Sequence, residues 1–105
     1  MINGVIANLG EPVGAPASLT VGASAVSIDT ATIPAGANCA YVTVEASTIR
    51  FWMNGTATEP TASVGHEVTA GSQFTLLGPM AIRKFRAIRT AAPDGVCRIS
   101  FFSGL

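Results

Sequence analysis

Short segments in which apolar and polar residues alternate recur along this chain of 105 residues, and clusters of Gly, Pro, Asn and Asp separate them. Successive side chains of a β-strand point to opposite faces, so alternation is typical of a strand with one buried face. The clearest case is residues 39–46, where Ala40, Val42 and Val44 share one face. About six to eight such segments at intervals of roughly ten residues, with no helix of ten or more residues, predict an all-β protein.

The predicted fold is a single antiparallel β-sandwich or small barrel, jelly-roll-like, over residues 17–105. Residues 1–16 hold two Pro and three Gly among small apolar residues and are predicted to form an extended N-terminal arm. The arm is either disordered in the free protein or ordered on the surface of a partner. Its apolar content keeps the second alternative open, because several of its side chains are too apolar for an ordinary solvated tail: Ile2, Val5, Ile6, Leu9 and Val13.

Several further strands follow from the same alternation. Between Ala23 and Val26 the pattern slips by one residue, which is typical of a bulge or of a break between two strands. A strand is predicted over residues 73–77 and ends at Pro79, which has no N–H to offer a neighbouring strand. The last strand is predicted over residues 96–102, with Cys97, Ile99 and Phe101 facing inward.

Residues 49–68 contain the only Trp and the only His of the chain. Ile49, Phe51 and Met53 alternate with Arg50 and Trp52, which predicts a half-buried strand. The dipeptide that follows at 54–55, Asn-Gly, is typical of a tight type I′ hairpin turn. A Thr-rich return is then predicted, with the His in a loop after the hairpin.

Residues 81–89 give mixed signals, because neither strand alternation nor helical spacing fits all of them. The spacing of Ile82, Phe85 and Ile88 by three hints at a helical turn. We predict a short turn or bulge near Lys84 and then a strand from Phe85 to Thr90.

Only 11% of the residues are charged, compared with about 25% in an ordinary soluble domain. A weakly charged exterior suits a protein that is packed against neighbours. The formal net charge is zero, which argues against a nucleic-acid binder that neutralises phosphates. The basic residues are concentrated in one segment, which favours either a surface of mixed sign or a basic edge that faces an acidic partner: Arg83, Lys84, Arg86, Arg89 and Arg98.

Cys39 and Cys97 lie in separate apolar runs and are predicted to be buried and unpaired. The N-terminus lacks the basic region of a signal peptide. No apolar run approaches the roughly 20 residues that a membrane helix needs. The sequence therefore predicts neither a disulfide nor a membrane segment.

The sequence predicts no catalytic or metal site and no cofactor. His66 has no spacing partner that would make a nucleophile pair or a zinc site, and a structural hydrogen bond is its expected role. The carboxylates lie mostly in or beside predicted turns, where solvated charges are common. Trp52 and Tyr41 could stack on a sugar, although a single outward Trp is more often an interface anchor or half-buried. We therefore expect that the protein is not an enzyme and has no small-molecule substrate.

Two blocks of the sequence resemble a pattern found in small virion proteins of tailed bacteriophages. The first comprises Ile49-Arg50-Phe51, Asn54-Gly55-Thr56 and Pro60-Thr61-Ala62-Ser63-Val64-Gly65-His66, and the second is Ile82-Arg83-Lys84-Phe85-Arg86-Ala87-Ile88-Arg89. The resemblance extends over roughly residues 40–102. The pair Thr58-Glu59 departs from the pattern by lengthening the loop before Pro60.

This resemblance implies a small all-β virion component and favours a capsid decoration (cement) protein that binds the lattice of the major capsid protein. The implied partners are that lattice and copies of the chain itself, as a homotrimer, on a capsid surface assembled in the host cytoplasm. Alternatives are a sandwich associated with the tail, baseplate or fibre, and a carbohydrate-binding module. The candidate partner contacts lie in the arm, on the outward Trp and in the basic segment: Ile2, Val5, Ile6, Leu9, Trp52, Arg83, Lys84, Arg86 and Arg89.

Overall fold

A computed structural model describes residues 9–104 and shows two antiparallel four-stranded sheets packed against each other. Its eight strands are β1 (Ala17–Val21), β2 (Val26–Ser27), β3 (Cys39–Glu45), β4 (Ile49–Trp52), β5 (His66–Val68), β6 (Gln73–Leu77), β7 (Arg86–Arg89) and β8 (Gly95–Phe102). A 3₁₀ turn at Thr30–Thr32 and a short helix α1 at Pro79–Arg83 complete the secondary structure.

The strand order identifies the sandwich as a jelly roll. The first sheet has the order β1-β8-β3-β6 and the second has the order β2-β7-β4-β5. Strands pair from the ends of the chain inward, β1 with β8, β2 with β7, β3 with β6 and β4 with β5, and these pairs alternate between the sheets. The chain therefore forms one long hairpin that wraps around the core, as in double-sheet jelly rolls. The prediction of an all-β, jelly-roll-like sandwich is confirmed.

The core lies between the sheets and is built from the inward face of each strand. Val42 and Ile99 are buried from the first sheet, and Ile49 is buried from the second. Phe51 of the second sheet stacks on Phe74 of the first, with ring centroids 4.5 Å apart. Because these side chains recur at every second position, the predicted alternation is confirmed in β3, β4 and β8.

The phase slip after Ala23 marks a break between strands in different sheets. β1 pairs with β8 in the first sheet, while β2 pairs with β7 in the second. Both cysteines are buried and unpaired, as expected.

Two local predictions are wrong. The Asn54-Gly55 dipeptide does not form a two-residue type I′ turn, because only Gly55 has a positive φ and residues 53–65 separate β4 from β5. His66 is consequently the first residue of β5 and not part of a loop. By contrast, the short turn predicted near Lys84 is present, as the C-terminal cap of α1, and the strand that follows it is β7, Arg86–Arg89, within the predicted residues 85–90.

The antiparallel topology places short and long connections at opposite ends of the sandwich. Residues 22–25, 46–48, 69–72 and 90–94 form the short connections, which we call the turn end. The opposite end holds both termini of the described chain and the long connections, and we call it the loop end: residues 9–16, 28–38, 53–65, 78–85 and 103–104. The two ends therefore offer different surfaces to a partner.

Candidate interaction surface

The loop of residues 53–65 folds back over the outer face of the second sheet, where Arg50 fastens it. The Arg50 guanidinium donates to the carbonyl oxygen of Gly65 at 2.9 Å and to that of Ala62 at 3.3 Å. It also lies 3.6 Å from the carboxylate of Glu67. A planar guanidinium with several donors suits such multiple contacts better than a lysine does. Arg50 therefore determines the path of the returning loop.

Arg86, which lies in the neighbouring strand β7, also holds the loop. Its guanidinium donates to the Ser27 hydroxyl at 2.8 Å and to the Ala25 carbonyl oxygen at 2.9 Å, both near β2. The same group lies 3.5 Å from Glu59, in the middle of the loop. Glu59 therefore connects the middle of the loop to β7 through this ion pair.

The loop also stabilises itself. The Thr61 hydroxyl oxygen accepts hydrogen bonds from the backbone N–H groups of Ser63 and Val64. Backbone hydrogen bonds join Thr61 and Val64 in both directions. Pro60 is buried although it lies in a loop. Arg50 and Arg86, on neighbouring strands, both hold this loop against the sheet.

Trp52 and His66 flank the loop, Trp52 directly before it and His66 directly after it. The His66 ring meets the Trp52 indole edge-on at 4.9 Å and tilts against Phe51 at 5.2 Å. Trp52 Nε1 is buried and has no hydrogen-bond partner among residues 9–104. Among residues 9–104, the His66 ring contacts the rings of Trp52 and Phe51 and forms no hydrogen bond. The structural hydrogen bond that was expected for His66 is therefore not found there.

Trp52 and Tyr41 cannot bind one sugar together. Tyr41 lies in β3 and alternates with the buried Ala40 and Val42, so it faces outward from the first sheet. Trp52 lies in β4 and faces outward from the second sheet. The two aromatic side chains are therefore on opposite outer faces of the sandwich.

An open groove of about 520 Å³ runs along the side of the sandwich, between the edge strands β5 and β6. Phe51, Phe74 and His66 contribute aromatic surface to it, and Thr69, Ser72 and Gln73 contribute polar groups. Within residues 9–104, no group of three or more His, Cys, Asp or Glu side chains could hold a metal ion. No helix among these residues is long and apolar enough to cross a membrane.

The charged side chains of the described chain are largely paired with one another. Besides Arg50–Glu67 and Arg86–Glu59, two further ion pairs join Arg89 to Asp94 at the turn end and Arg98 to Glu45 on the outer face of the first sheet. This arrangement gives a surface of mixed sign. The predicted basic edge is reduced to two adjacent cations, because Arg86 and Arg89 have acidic partners within the chain.

The loop end carries the exposed apolar and unpaired charged side chains. Arg83 and Lys84, at the end of α1, are exposed and form no ion pair with residues 9–104. Leu77 ends β6 directly before this connection and Met80 lies in α1, with 59% and 56% of their surfaces exposed, and Met53 is also exposed at this end. Met and Arg are enriched at protein interfaces, so this end is the better candidate for a contact surface.

Part of the predicted arm belongs to the sandwich. The N–H of Val13 donates to the Phe101 carbonyl oxygen at 2.9 Å, and the N–H of Ser103 donates to that of Glu11 at 3.0 Å. Leu9 is only 2% exposed, so it offers little surface to a partner in this conformation. The other arm candidates, Ile2, Val5 and Ile6, lie outside the described residues.

Sequence reasoning missed several residues of this surface. Leu77 and Met80 flank the Gly78-Pro79 turn, and apolar side chains beside a turn were a usable signal. The role of Arg50 in fastening the loop has no local signal, because its acceptors lie 12 and 15 residues away.

Comparison with protein-family models, curated proteins and solved structures found no match to this chain.

Proposed function

We propose that this chain is a bacteriophage virion structural protein, a capsid decoration protein that binds and stabilises the lattice of the major capsid protein. The observation that carries the proposal is the loop end of the jelly-roll sandwich, where side chains that are apolar and exposed lie together with two cations that form no ion pair with residues 9–104. Jelly rolls are an architecture of viral capsid and lectin domains, among others.

The chemistry of this surface suits adhesion. Four large apolar side chains are exposed in or directly before the connections of this end, which also hold the two cations: Met53, Val64, Leu77 and Met80. A protein lattice presents the same complementary patch many times, so contacts that are individually weak give high avidity when several copies act together. Decoration of this kind requires no reaction centre. We therefore also propose that the protein is not an enzyme.

The glycan-binding alternative receives no support from the aromatic side chains, since Tyr41 and Trp52 face opposite directions. A tail, baseplate or fibre position uses the same kind of adhesive surface and is separated from decoration by the number of copies in a particle. We favour the capsid surface, with copies of the chain as a second partner in a homotrimer.

The experiment is to mix the purified protein with undecorated phage heads and sediment the heads. Decoration predicts saturable binding and a higher melting temperature of the heads. Protein that stays in the supernatant at every concentration would contradict the proposal.

A further inference from the structure

Four charged residues form no ion pair with residues 9–104. The four ion pairs of the described chain use Arg50, Arg86, Arg89 and Arg98 and the carboxylates of Glu45, Glu59, Glu67 and Asp94. The remaining cations are Arg83 and Lys84, and the remaining carboxylates are Glu11 and Asp29. The unpaired charges are therefore equal in number and opposite in sign.

All four unpaired residues lie in connections of the loop end. Glu11 is in the segment that runs beside the end of β8, and Asp29 precedes the 3₁₀ turn, where its carboxylate accepts a hydrogen bond from the Ala31 N–H at 3.0 Å. Arg83 ends α1 and Lys84 caps it. Each of the four is exposed. None forms an ion pair with residues 9–104, so these charges are available to a second molecule.

The apolar side chains at the same end favour a protein as that second molecule. Met53, Leu77 and Met80 are exposed there, and their burial against the apolar surface of another protein is favourable. Large exposed apolar side chains with charges around them are typical of protein contact sites. The charges alone would attract any ion, whereas the combination favours a surface with matching charge and apolar area.

We propose that copies of this chain associate through their loop ends, with Arg83 and Lys84 of one copy facing Glu11 and Asp29 of another. The charge complementarity is present within the chain itself, so a second copy is the occupant that the structure specifies. A contact between two different patches repeats around a closed ring or is made twice across a two-fold axis. The inference deepens the proposed function by assigning the surface through which copies meet.

The test is the mass of the purified protein in solution, measured by analytical ultracentrifugation over a range of protein and salt concentrations. We expect a reversible oligomer whose dissociation constant rises by about tenfold or more between low and high salt, because exposed charges are screened. A protein that stays monomeric at all concentrations would overturn the inference.

Charge reversal identifies the contact. The variants R83E/K84E and E11K/D29K should each weaken association by about tenfold or more, because like charges then face each other. The variant with all four substitutions restores opposite charges and should associate nearly as the natural chain does. If R83E/K84E leaves association unchanged, or if the folded fourfold variant stays monomeric, the inference is wrong.

Two controls keep this test interpretable. The exchange E45K/R98E reverses an ion pair on the outer face of the first sheet and should not change association. Asp29 also caps the 3₁₀ turn, so if D29K prevents folding, the single reversals E11K and R83E and their combination replace the larger set. A monomer that still binds heads would overturn this inference and leave capsid decoration standing, whereas an oligomer that ignores heads would do the reverse.

Discussion

Gly65 sits at a point where the fastened loop comes very close to the strand beneath it. Its φ is 134°, a conformation that other residues rarely adopt, and a Cβ there would lie 3.2 Å from the Phe51 carbonyl oxygen and from the Arg50 Cβ. Gly71 has a φ of 92° but open space around it. A side chain at either position would strain the backbone, but only a side chain at Gly65 would also meet neighbouring atoms.

We predict that Gly65→Ala lowers the free energy of unfolding by about 1–3 kcal/mol and by more than Gly71→Ala does, since only the first adds a steric contact to the strain. Urea denaturation of both variants measures the difference. Equal losses for the two would contradict the close approach of the loop at Gly65.

Cys97 gives a prediction about pH. Burial raises the pKa of its thiol from 9.0 to about 12. Between these values the unfolded chain releases a proton that the folded chain retains, so stability falls as the pH rises. Below pH 9 both states keep the proton and the effect disappears.

We expect the free energy of unfolding to decrease above pH 9 by up to about 1.4 kcal/mol per pH unit from this thiol alone. Cys97→Ala removes the thiol, so the natural chain should lose more stability than the variant between pH 8 and pH 10.5. Parallel curves for the two proteins would show that the thiol is not protected by burial.

At the scale of single residues the sequence was informative wherever burial follows the strand period. Cys97, Ile99 and Phe101 were predicted to face inward and are buried. The pairing of charges could not be predicted, because Arg98 meets Glu45 from 53 positions away. Contacts of that kind depend on topology and not on neighbours in the chain.

The loop of residues 53–65 is the element whose conformation depends most on distant side chains. The Asn54-Gly55 pair predicts a tight turn from local preference, yet Arg50, Arg86 and the Thr61 hydroxyl hold a much longer loop. The helix α1 was also missed, since five residues give too short a pattern to separate from a turn. Pro79 at its start is a helix signal in hindsight, because proline is favoured in the first turn.

We predict that Arg50→Ala releases this loop and lowers the free energy of unfolding by about 1–3 kcal/mol, because two backbone carbonyl groups lose their donor. Trp52 is the only Trp, it directly precedes this loop and its indole Nε1 is buried, so its fluorescence should shift to longer wavelength when release of the loop admits water. Proteolysis within residues 53–65 should become faster.

Two variants serve as controls for the loop. Arg50→Lys keeps the charge but not the forked geometry and should restore only part of the stability. Arg98→Ala removes an exposed ion pair and should change stability by less than about 1 kcal/mol, with no change in Trp52 fluorescence. A normal fluorescence spectrum in Arg50→Ala would contradict the role of Arg50 in fastening the loop.

At the scale of the whole molecule, the fold class was predictable and the arrangement of the strands was not. Alternation and turn spacing predicted a sandwich, but the pairing of β1 with β8 joins the two ends of the chain. The antiparallel topology also collects the long connections at the loop end. The sequence therefore predicted only part of the candidate surface. The cations at residues 83–84 were identified from composition, whereas the placement of Met53 and Leu77 at the same end follows only from the topology.

The most direct test of capsid decoration is the number of copies bound per undecorated head at saturation. Decoration predicts hundreds of copies, in a fixed ratio to the major capsid protein. Binding of a few copies, or of none, would contradict decoration, and a few copies would indicate a position in the tail.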